Sequence, residues 1–408
     1  MKNILFITTM YPDPLRPGTD VCHYFTREWV KMGYNVLVIN YRSMFPSIYT
    51  TTARLFPKLA LKYIGNHVEM DTNKNIIQHE VEGIPVYSIP IFKYVPHAKY
   101  PQKSIDKQLK IIQDIIKERN FIPDAIIGHF YNPQMEIISK LKNIYTNAHT
   151  SVVLHEPNPN VIKKTYPYNY KELINSIDII GYRSQTMRKL YEIFYGHINK
   201  SFICYSGTNP SYISTPVLPN KFSDGNLSKF LYVGQFTKNK CVKSNLEAIN
   251  LVYSNEDAYN FTLVGEGPCF YDINKFIEDH DVKKHITFTG WIQRDDIVNY
   301  YDENECFIMI SITEAFGLVY LEAMARGCIV IGTRGQGIDG VIKDGENGYL
   351  CKGGDSIELA SIIKRINALS AEEKKKISDN ARQTAEQFSD YNVAKMYIES
   401  VMNSNKVN

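Results

Sequence analysis

The stretch CFIMISITEAFGLVYLEAMARGCIVIGT (306–333) decides the fold of this chain. Its two ends, CFIMIS (306–311) and CIVIGT (328–333), are short runs of apolar and β-branched residues, which is typical of strands buried on both faces. The residues between them predict a helix. Strand, helix and strand in this order predict a parallel sheet covered by helices.

The same alternation extends along the chain on both sides of this stretch. It predicts strands at NILFIT (3–8), NVLVIN (35–40), IPVYSI (84–89), DAIIG (124–128), TSVVL (150–154), SIDIIG (176–181), KFLYVG (229–234), FTLVG (261–265) and HITFTG (285–290). Helical periodicity predicts helices at Thr19–Met32 and Ile105–Glu118 and two more after Ser370. The predicted fold class is therefore α/β, with two doubly wound, Rossmann-like parallel-sheet domains that face each other across a cleft.

A polar segment that contains three prolines interrupts the alternation at 205–228 and predicts a domain boundary. It divides the chain into a domain at 1–205, a linker at 206–228 and a domain at 229–388. A length of 408 residues agrees with two domains. Such sheets bind ligands at the carboxyl ends of their strands, so we expect the active site in the cleft.

The net charge of +3 is the sum of a positive charge on the first half of the chain and a negative charge on the second half. Residues 1–200 carry 25 Lys and Arg against 16 Asp and Glu, a net charge of +9, whereas residues 201–408 carry 21 against 27, a net charge of −6. This asymmetry predicts domains with different partners. A hydrophobic content of 44% excludes global disorder, and the basic residues form no motif typical of a nucleic-acid-binding protein.

Several features predict a cytoplasmic protein. The N-terminus lacks the apolar stretch of a signal peptide, and the sequence has no run of about 18 apolar residues that would predict a membrane span. The seven cysteines form no C-x-x-C pair, so we expect reduced thiols rather than disulfide bonds or a zinc site.

Glu314 and Glu322 are the strongest candidates for a binding site. Gly317 interrupts the segment between them, so we expect Glu314 in the loop after the strand and Glu322 inside the following helix. Four backbone amides would open that helix and bind phosphate, those of Phe316, Gly317, Leu318 and Val319. This pattern indicates a nucleotide-sugar pocket, with one carboxylate on the sugar and the other on the ribose. The alternative is an amphipathic helix with two solvated glutamates.

Three further glycine-rich turns follow predicted strands. Gly234 is followed by Lys238 and Lys240, which would neutralise a phosphate group. LVGEGP (263–268) and GTRGQGIDGVIKDGENGYL (332–350) are the other two turns. A single turn of this kind is weak evidence, but several at one sheet edge, together with the two glutamates, favour the pocket.

With these motifs the sequence resembles glycosyltransferase family 4, a family of retaining enzymes with the GT-B fold, and its polysaccharide-assembly members in particular. The resemblance covers nearly the whole chain and is densest at 229–350. Members carry a Glu-(any seven)-Glu motif, matched here by Glu314 and Glu322 with FG between them. Their V-G-x-G-P turn is matched by Gly265 and the Gly-Pro pair two residues later.

The diphosphate-binding segment of the family, V-G-R-x-x-x-x-K-G, reads VGQFTKNKC in this chain. Lys240 is kept, whereas Gln235 replaces the arginine and Cys241 replaces the glycine. The resemblance also implies that backbone atoms of Trp291 and Ile292 hold the nucleobase.

The resemblance is weaker in the first half, which would bind the acceptor. It implies that Gly18 lies near the donor phosphates and that His155 reaches the donor sugar; a satisfied loop histidine is the alternative for His155. His129 ends the preceding predicted strand, and its structural and functional interpretations stay equally open. The last helix (389–408) would pack back on the N-terminal domain.

The resemblance implies transfer of a sugar, with retention and without a metal ion or cofactor, from a nucleoside diphosphate sugar to a glycan or lipid-linked saccharide in cell-surface polysaccharide assembly. A UDP-sugar is favoured over a GDP-sugar. The expected catalytic residues are His155, Glu314 and Lys240. The expected donor-binding residues are Gly18, Gly234, Gln235, Lys238, Gly265, Trp291, Ile292, Phe316, Gly317, Leu318, Val319 and Glu322.

Gln235 removes one positive charge from the diphosphate site, which leaves open a non-catalytic accessory subunit with the GT-B fold. A GT-B nucleotide-sugar epimerase is a second alternative. Basic and aromatic insertions at 41–65 and 91–110 predict docking on an anionic leaflet that carries a lipid-linked acceptor. A peripheral location on the inner face of the cytoplasmic membrane follows from that prediction. A solvated basic surface is the alternative.

Overall fold

The computed structural model of the protein describes residues 1–14, 22–46, 73–95, 98–196, 200–214, 221–293 and 296–404. The chain forms two compact units. The first unit comprises Met1–Tyr182, Leu190–Cys204 and the chain from Ala394 onward, and the second comprises Arg183–Lys189 and Tyr205–Val393. Each unit contains one largely or wholly parallel sheet, so the prediction of two parallel-sheet α/β domains is confirmed.

The sheet of the first unit contains eight of the described strands. They are β1 (Asn3–Thr8), β2 (Asn35–Met44), β3 (Ile77–Val81), β4 (Ile84–Phe92), β5 (Ala125–His129), β6 (His149–Leu154), β7 (Ile179–Tyr182) and β8 (Ser201–Ile203). Their order across the sheet is β3-β4-β2-β1-β5-β6-β7-β8. Only β3 among them is antiparallel to its neighbour. It was not predicted from the sequence, and none of its residues is fully buried.

Six helices begin within the first 200 residues of the described chain. They are α1 (His23–Lys31), α2 (Gln102–Glu118), α3 (Gln134–Ile144), α4 (Pro159–Thr165), α5 (Tyr170–Asn175) and α6 (Gln185–Tyr195). In α2 the side chains of Ile105, Ile112 and Ile116 are buried. Their spacing places them on one side of the helix, as the periodicity of the segment predicted.

The sheet of the second unit contains six of the described strands, all parallel. They are β9 (Lys229–Val233), β10 (Asn260–Val264), β11 (Ile286–Gly290), β12 (Cys306–Ile308), β13 (Ile329–Thr333) and β14 (Tyr349–Cys351). Their order is β11-β10-β9-β12-β13-β14. The stretch 306–333 therefore forms the neighbouring strands β12 and β13 with a helix between them, as predicted.

The helices after residue 205 in the described chain are α7 (Pro210–Ser214), α8 (Val242–Val252), α9 (Phe270–Asp279), α10 (Ile297–Glu303), α11 (Leu318–Ala325), α12 (Ser356–Asn367), α13 (Ala371–Gln387) and α14 (Asp390–Met402). Ser370 begins α13 with a capping box, in which its side chain and that of Glu373 exchange hydrogen bonds with the backbone. Such a box satisfies two amides at the helix start, and it separates α13 from α12.

The described part of the predicted linker 206–228 packs on the second unit instead of forming a free connection. Tyr212 and Leu227 are 4% and 2% exposed and belong to the core of that unit. The carbonyl of Tyr212 accepts a hydrogen bond of 3.0 Å from Arg326. Pro210, the one proline of this segment among the described residues, begins α7, so the described part of the predicted linker belongs to the second unit.

The chain returns to the first unit within α14. Trp29 of α1 donates a hydrogen bond of 2.9 Å to the carbonyl of Ala394, and its ring lies 5.2 Å from that of Tyr397. Phe25 also contacts Tyr397, with a ring distance of 5.2 Å. These contacts bury an aromatic side chain of α14 beside α1, which is the type of contact expected of the last helix.

Candidate active site

The carboxyl ends of β9 and β12 lie side by side in the second unit, although β10 and β11 separate them in the chain. The strand order runs outward from this pair, through β10 and β11 on one side and through β13 and β14 on the other. Loops diverge at such a point, and doubly wound sheets bind ligands in the crevice that results. The candidate site of this unit is therefore built on the loops after β9 and β12.

Asn239 joins these two loops. Its side-chain amide donates to the carbonyl of Thr313 at 2.7 Å and accepts from the amide of Thr313 at 2.9 Å. Its own carbonyl accepts from the amide of Ile312 at 2.8 Å. Three hydrogen bonds at one residue fix the loop after β9 against the loop after β12, and they hold the adjacent Lys240 in place.

Lys240 forms an ion pair with Glu314, between Nζ and Oε2. The two side chains are 23% and 14% exposed, so the pair is screened less than a surface pair. Tyr232 is buried nearby, and its pKa is raised above the ordinary value, first by burial and then by the negative charge of Glu314. The structure thus brings together the two residues that the sequence assigned to the sugar and the diphosphate.

The glycine-rich segment 332–350 packs on the loop that carries Glu314. The amide of Glu314 donates to Gln336 Oε1 at 3.0 Å, and the amide of Gly337 donates to the carbonyl of Glu314 at 2.9 Å. A Cβ on Gly337 would lie only 2.3 Å from Cα of Phe316, so this position requires glycine. The backbone of Glu314 is therefore held from both directions.

Helix α11 begins directly after this loop. Gly317 precedes it with φ of +84°, and a Cβ there would lie 2.4 Å from the ring of Tyr320. The first amides of a helix have no partner inside it. The amides of Leu318 and Val319, four and five residues after Glu314, therefore form the kind of helix N-terminus that binds anions.

Glu322 lies inside α11, as predicted, and its side chain is 4% exposed. Tyr301 of α10 donates a hydrogen bond to its Oε2 at 3.0 Å. The pKa of Tyr301 is well above its ordinary value because the ring is buried and, secondly, because Glu322 is negatively charged. Tyr301 thus fixes the carboxylate that the sequence assigned to the ribose.

The predicted glycine turns meet at the other side of the site. A Cβ on Gly265 would lie 2.0 Å from the carbonyl oxygen of Gly234, and the amide of Gly265 donates to the carbonyl of Gly290 at 2.9 Å. The ends of β9, β10 and β11 are thereby in backbone contact. Trp291 follows with a side chain that is 70% exposed, whereas Ile292 packs partly against the core.

The two departures from the family's diphosphate segment differ in their local structure. Gln235 and Lys238 are both exposed. The backbone carbonyl of Gln235 accepts a hydrogen bond of 2.9 Å from the hydroxyl of Tyr232. Cys241 adopts a left-handed conformation, with φ of +51° and ψ of 36°, at the start of α8. This is the conformation that glycine adopts without a steric penalty, which explains why the family's segment has glycine at the position of Cys241.

The first unit joins two histidines at neighbouring strand ends. His129 ends β5, His155 follows β6, and their nitrogens Nδ1 and Nε2 lie 2.9 Å apart. His129 is fully buried, whereas His155 is half-buried and stacks on Phe130 at a ring distance of 4.2 Å. The two candidate histidines are therefore in direct contact, and Gly18 lies outside the described residues.

Asn239 and Gln336 were not predicted as site residues, although both lie in the predicted turns after Gly234 and at 332–350. An amide side chain at a strand end is a weak signal by itself, because many such residues are solvated. The partners of both lie more than 20 residues away in the chain. The role of Asn239 follows from the pairing of β9 with β12, which the order of elements in the chain does not reveal. The role of Gln336 follows from the pairing of β12 with β13.

Residues 219–384 match the family model described as "Glycosyl transferases group 1". The matched region contains the ion pair of Lys240 and Glu314, the glycine turns and α11.

Two similar proteins differ in how much of the chain they cover. An uncharacterized glycosyltransferase of Methanocaldococcus jannaschii is 26% identical over 351 residues, which are 82% of this chain and 93% of that protein. The N-acetyl-alpha-D-glucosaminyl L-malate synthase of Bacillus anthracis is 32% identical over 169 residues, which are 41% of this chain and 43% of that enzyme.

Solved structures resemble the chain over nearly its whole length. A glycosyltransferase from Rickettsia africae has a TM-score of 0.70 at 19% identity and covers 100% of this chain and 99% of its own. The Anabaena protein HepE, in complex with UDP and glucose, has a TM-score of 0.67 at 17% identity. The match covers 98% of this chain and 99% of the HepE chain. At these identities the likeness concerns the fold.

Proposed function

We propose that this glycosyltransferase of the GT-B type, with its glycosyl transferases group 1 domain at residues 219–384, transfers a sugar from a UDP-sugar. The proposed transfer proceeds with retention and without a metal ion. The proposed acceptor is a glycan or lipid-linked saccharide of cell-surface polysaccharide assembly. The ion pair of Lys240 and Glu314 at the divergence of β9 and β12 carries this proposal. The UDP and glucose in the complex of the Anabaena relative support UDP over GDP.

The leaving group of such a donor is a nucleoside diphosphate, which develops negative charge as the glycosidic bond breaks. Lys240 supplies a positive charge at the strand end, and the N-terminus of α11 supplies backbone amides next to it. Preorganised donors of this kind stabilise developing charge. They take the role that a divalent cation has in other phosphate sites, and this supports transfer without a metal.

Retention by a front-face path is favoured over double displacement by the state of the two carboxylates. A double displacement needs two carboxyl groups about 5 Å apart on either side of the bond. Glu314 is paired with Lys240, and Glu322 accepts a hydrogen bond from Tyr301 in the interior of the unit. We therefore assign to Glu314, together with His155 of the first unit, the positioning of sugar hydroxyls.

Nucleotide release tests the proposal directly. The full chain is incubated with UDP-glucose, UDP-galactose, UDP-N-acetylglucosamine and GDP-mannose, with and without EDTA, and free UDP or GDP is measured. We expect release from one UDP-sugar at a rate that EDTA does not change. Lys243→Ala is the matched control for Lys240→Ala, because Lys243 lies on the adjacent α8 and pairs at the surface with Glu247 at 3.8 Å.

Each part of the proposal has an outcome that overturns it. Release that stops with EDTA contradicts metal independence, and a sugar adduct on Glu314 or His155, detected by mass spectrometry, contradicts the front-face path. If the chain binds no donor at all, the accessory-subunit alternative takes its place, in agreement with Gln235 in place of arginine. Conversion of one UDP-sugar into its epimer would favour the epimerase.

We also propose that the first unit docks on an anionic membrane surface. Tyr94 and Val95 follow β4 and are 62% and 48% exposed. Lys103, in the first turn of α2, is exposed as well. Exposed aromatic and aliphatic side chains beside basic ones are typical of interfacial binding. None of the helices in the described part of the chain is long and apolar enough to cross a membrane.

Sedimentation with liposomes tests the docking. The chain should sediment with vesicles that contain phosphatidylglycerol and remain in the supernatant with phosphatidylcholine alone. Tyr94→Ser with Val95→Ser should reduce the bound fraction several-fold. Tyr168→Ser is the matched control, because Tyr168 is 98% exposed in the same unit. Equal sedimentation of both variants would contradict this surface.

A further inference from the structure

A cavity of about 190 Å³ lies in the first unit at the carboxyl ends of β2 and β4. Met44 and Phe92, the last residues of these strands and partners in their register, form its apolar wall. The opposite wall belongs to α2. The cavity therefore occupies the edge of a parallel sheet where ligands bind, at strands other than those that carry His129 and His155.

Gln108 of α2 is a buried polar residue in the lining of this cavity. The residue is 1% exposed, and its Nε2 donates to the carbonyl of Pro90 at 3.1 Å. Its Oε1 has no hydrogen-bond partner in the described structure. A buried polar atom without a partner is unfavourable, so a ligand hydroxyl that reaches Oε1 and donates to it would remove that cost.

The remaining polar groups of the cavity are one hydroxyl and two ammonium groups. Ser104 lies four residues before Gln108 on α2 and therefore on the same side of the helix. Lys107 is the residue directly before Gln108, and both Ser104 and Lys107 line the cavity. Lys74 contributes the second cation. Asp106, the acidic residue of this helical turn, does not line the cavity and accepts a hydrogen bond from Gln102 at 2.8 Å.

These groups select a ligand of definite chemistry. An aromatic and aliphatic wall packs against the CH face of a sugar ring, while Gln108 and Ser104 bind hydroxyl groups. Two ammonium groups with no acidic residue in the lining favour a negative charge on that ring. The volume suits one ring rather than an oligosaccharide. A phospholipid headgroup offers fewer hydroxyl donors to Gln108 and needs room for its chains.

We propose that this cavity binds an acidic sugar residue, a uronic acid or a sugar phosphate, of the saccharide acceptor. The inference rests on the proposed function, because only a transferase needs an acceptor subsite in its first unit. It names the chemical class of the acceptor: an anionic saccharide rather than a neutral one. Lys74 and Lys107 bind the acidic group, and Gln108 and Ser104 bind the hydroxyls of the same ring.

Ligand-observed NMR with the full chain tests the subsite. The probes are methyl glucuronide, glucose 1-phosphate, methyl glucoside and inorganic phosphate. We expect the two acidic sugars to bind, and methyl glucoside and phosphate to bind at least tenfold more weakly, because each lacks half of the recognised groups. Lys74→Gln with Lys107→Gln should weaken methyl glucuronide at least tenfold, and Gln108→Met should weaken both acidic sugars.

Lys110→Gln is the matched control, because Lys110 is exposed on the same helix and does not line the cavity. Circular dichroism verifies that Gln108→Met folds, and the lysine variants test the site independently of it. Equal affinity for glucoside and glucuronide, unchanged affinity in the lysine variants, or no binding of any sugar would each overturn the proposal. UDP binding by the wild-type chain is measured in parallel, so that failure of the subsite is distinguished from failure of the donor site.

Discussion

Each unit joins two polar side chains across neighbouring strand ends, but the chemistry of the two pairs differs. The second unit pairs Lys240 with Glu314, a cation with an anion, and both remain partly exposed. The first unit pairs His129 with His155 through a hydrogen bond of 2.9 Å. The contact requires one ring nitrogen to donate and the other to accept, so the rings cannot both carry protons on these nitrogens.

The two pairs also differ in the side chains that surround them. The ring of His129 lies 5.2 Å from Phe6, 5.5 Å from Phe25 and 5.7 Å from Tyr397. His129 is thus fully buried among aromatic rings, whereas Lys240 and Glu314 both remain partly exposed. Under the proposed function, Lys240 exchanges its carboxylate partner for a phosphate of the donor. The pair of the second unit then neutralises charge, and the pair of the first unit positions sugar hydroxyls.

Lys240→Ala should have the largest effect on activity, because it removes the cation and leaves Glu314 without its partner. Loss of a group that stabilises the leaving diphosphate lowers kcat/KM by about 10²–10³-fold. Stopped assays of nucleotide release measure this loss. Glu314→Gln should lower kcat by a similar factor and leave donor affinity within about threefold, since Lys240 is then released for the phosphates. Tighter donor binding and full activity in Lys240→Ala would contradict the role of Lys240 in stabilising the leaving diphosphate.

His129→Phe should have a smaller effect, because it removes the hydrogen bond to His155 and retains the aromatic packing. Misplacement of a group that positions the substrate lowers activity by about 10–100-fold. We expect this loss in kcat, with donor affinity unchanged, since the diphosphate site lies in the second unit. His149→Phe is a control histidine in the same unit, on β6, where it contacts Ser404 at 3.0 Å. Equal losses in both variants would indicate a general structural effect.

Lys93 provides a third test, because it is a buried lysine of the first unit that contrasts with Lys240. Its Nζ lies 4.6 Å from the centre of the Tyr100 ring, and burial lowers its pKa from the usual 10.5 to about 8. The unfolded chain therefore binds this proton more tightly than the folded chain does. Stability is reduced below pH 8 and rises as the pH increases from 8 towards 10.5.

Lys93→Met should remove that dependence on pH. The shift corresponds to at most about 3 kcal/mol, and the cation–π contact with Tyr100 offsets part of it. We expect the free energy of unfolding in urea to increase by about 1–2 kcal/mol at pH 7, with no gain at pH 10.5. Because other groups titrate equally in both proteins, the difference between variant and wild type isolates Lys93. A gain that persists at pH 10.5 would assign it to packing instead of charge.

The sequence predicted the second unit more completely than the first. Strands β9–β13 and the loops that carry Lys240 and Glu314 follow from local patterns, because glycine, lysine and carboxylate side chains at strand ends have a recognisable chemistry. The contact between His129 and His155 depends on the pairing of β5 with β6 and has no local signal. The cavity beside Gln108 was not predicted for the same reason, since it joins α2 to the ends of two strands.

Cys241→Gly should have the smallest effect, in the loop that also holds Lys240. Cys241 has φ of +51°, a conformation that costs a residue with a Cβ about 1–2 kcal/mol. Glycine removes this cost but loses more entropy on folding, so we expect stabilisation by about 0.5–1 kcal/mol. Cys241→Ala is the matched control, because alanine removes the sulfur and keeps the strain. Urea unfolding should therefore show a higher midpoint for glycine than for alanine, with nucleotide release within about twofold of wild type in both. If alanine stabilises as much as glycine, the sulfur rather than the backbone conformation disfavours Cys241.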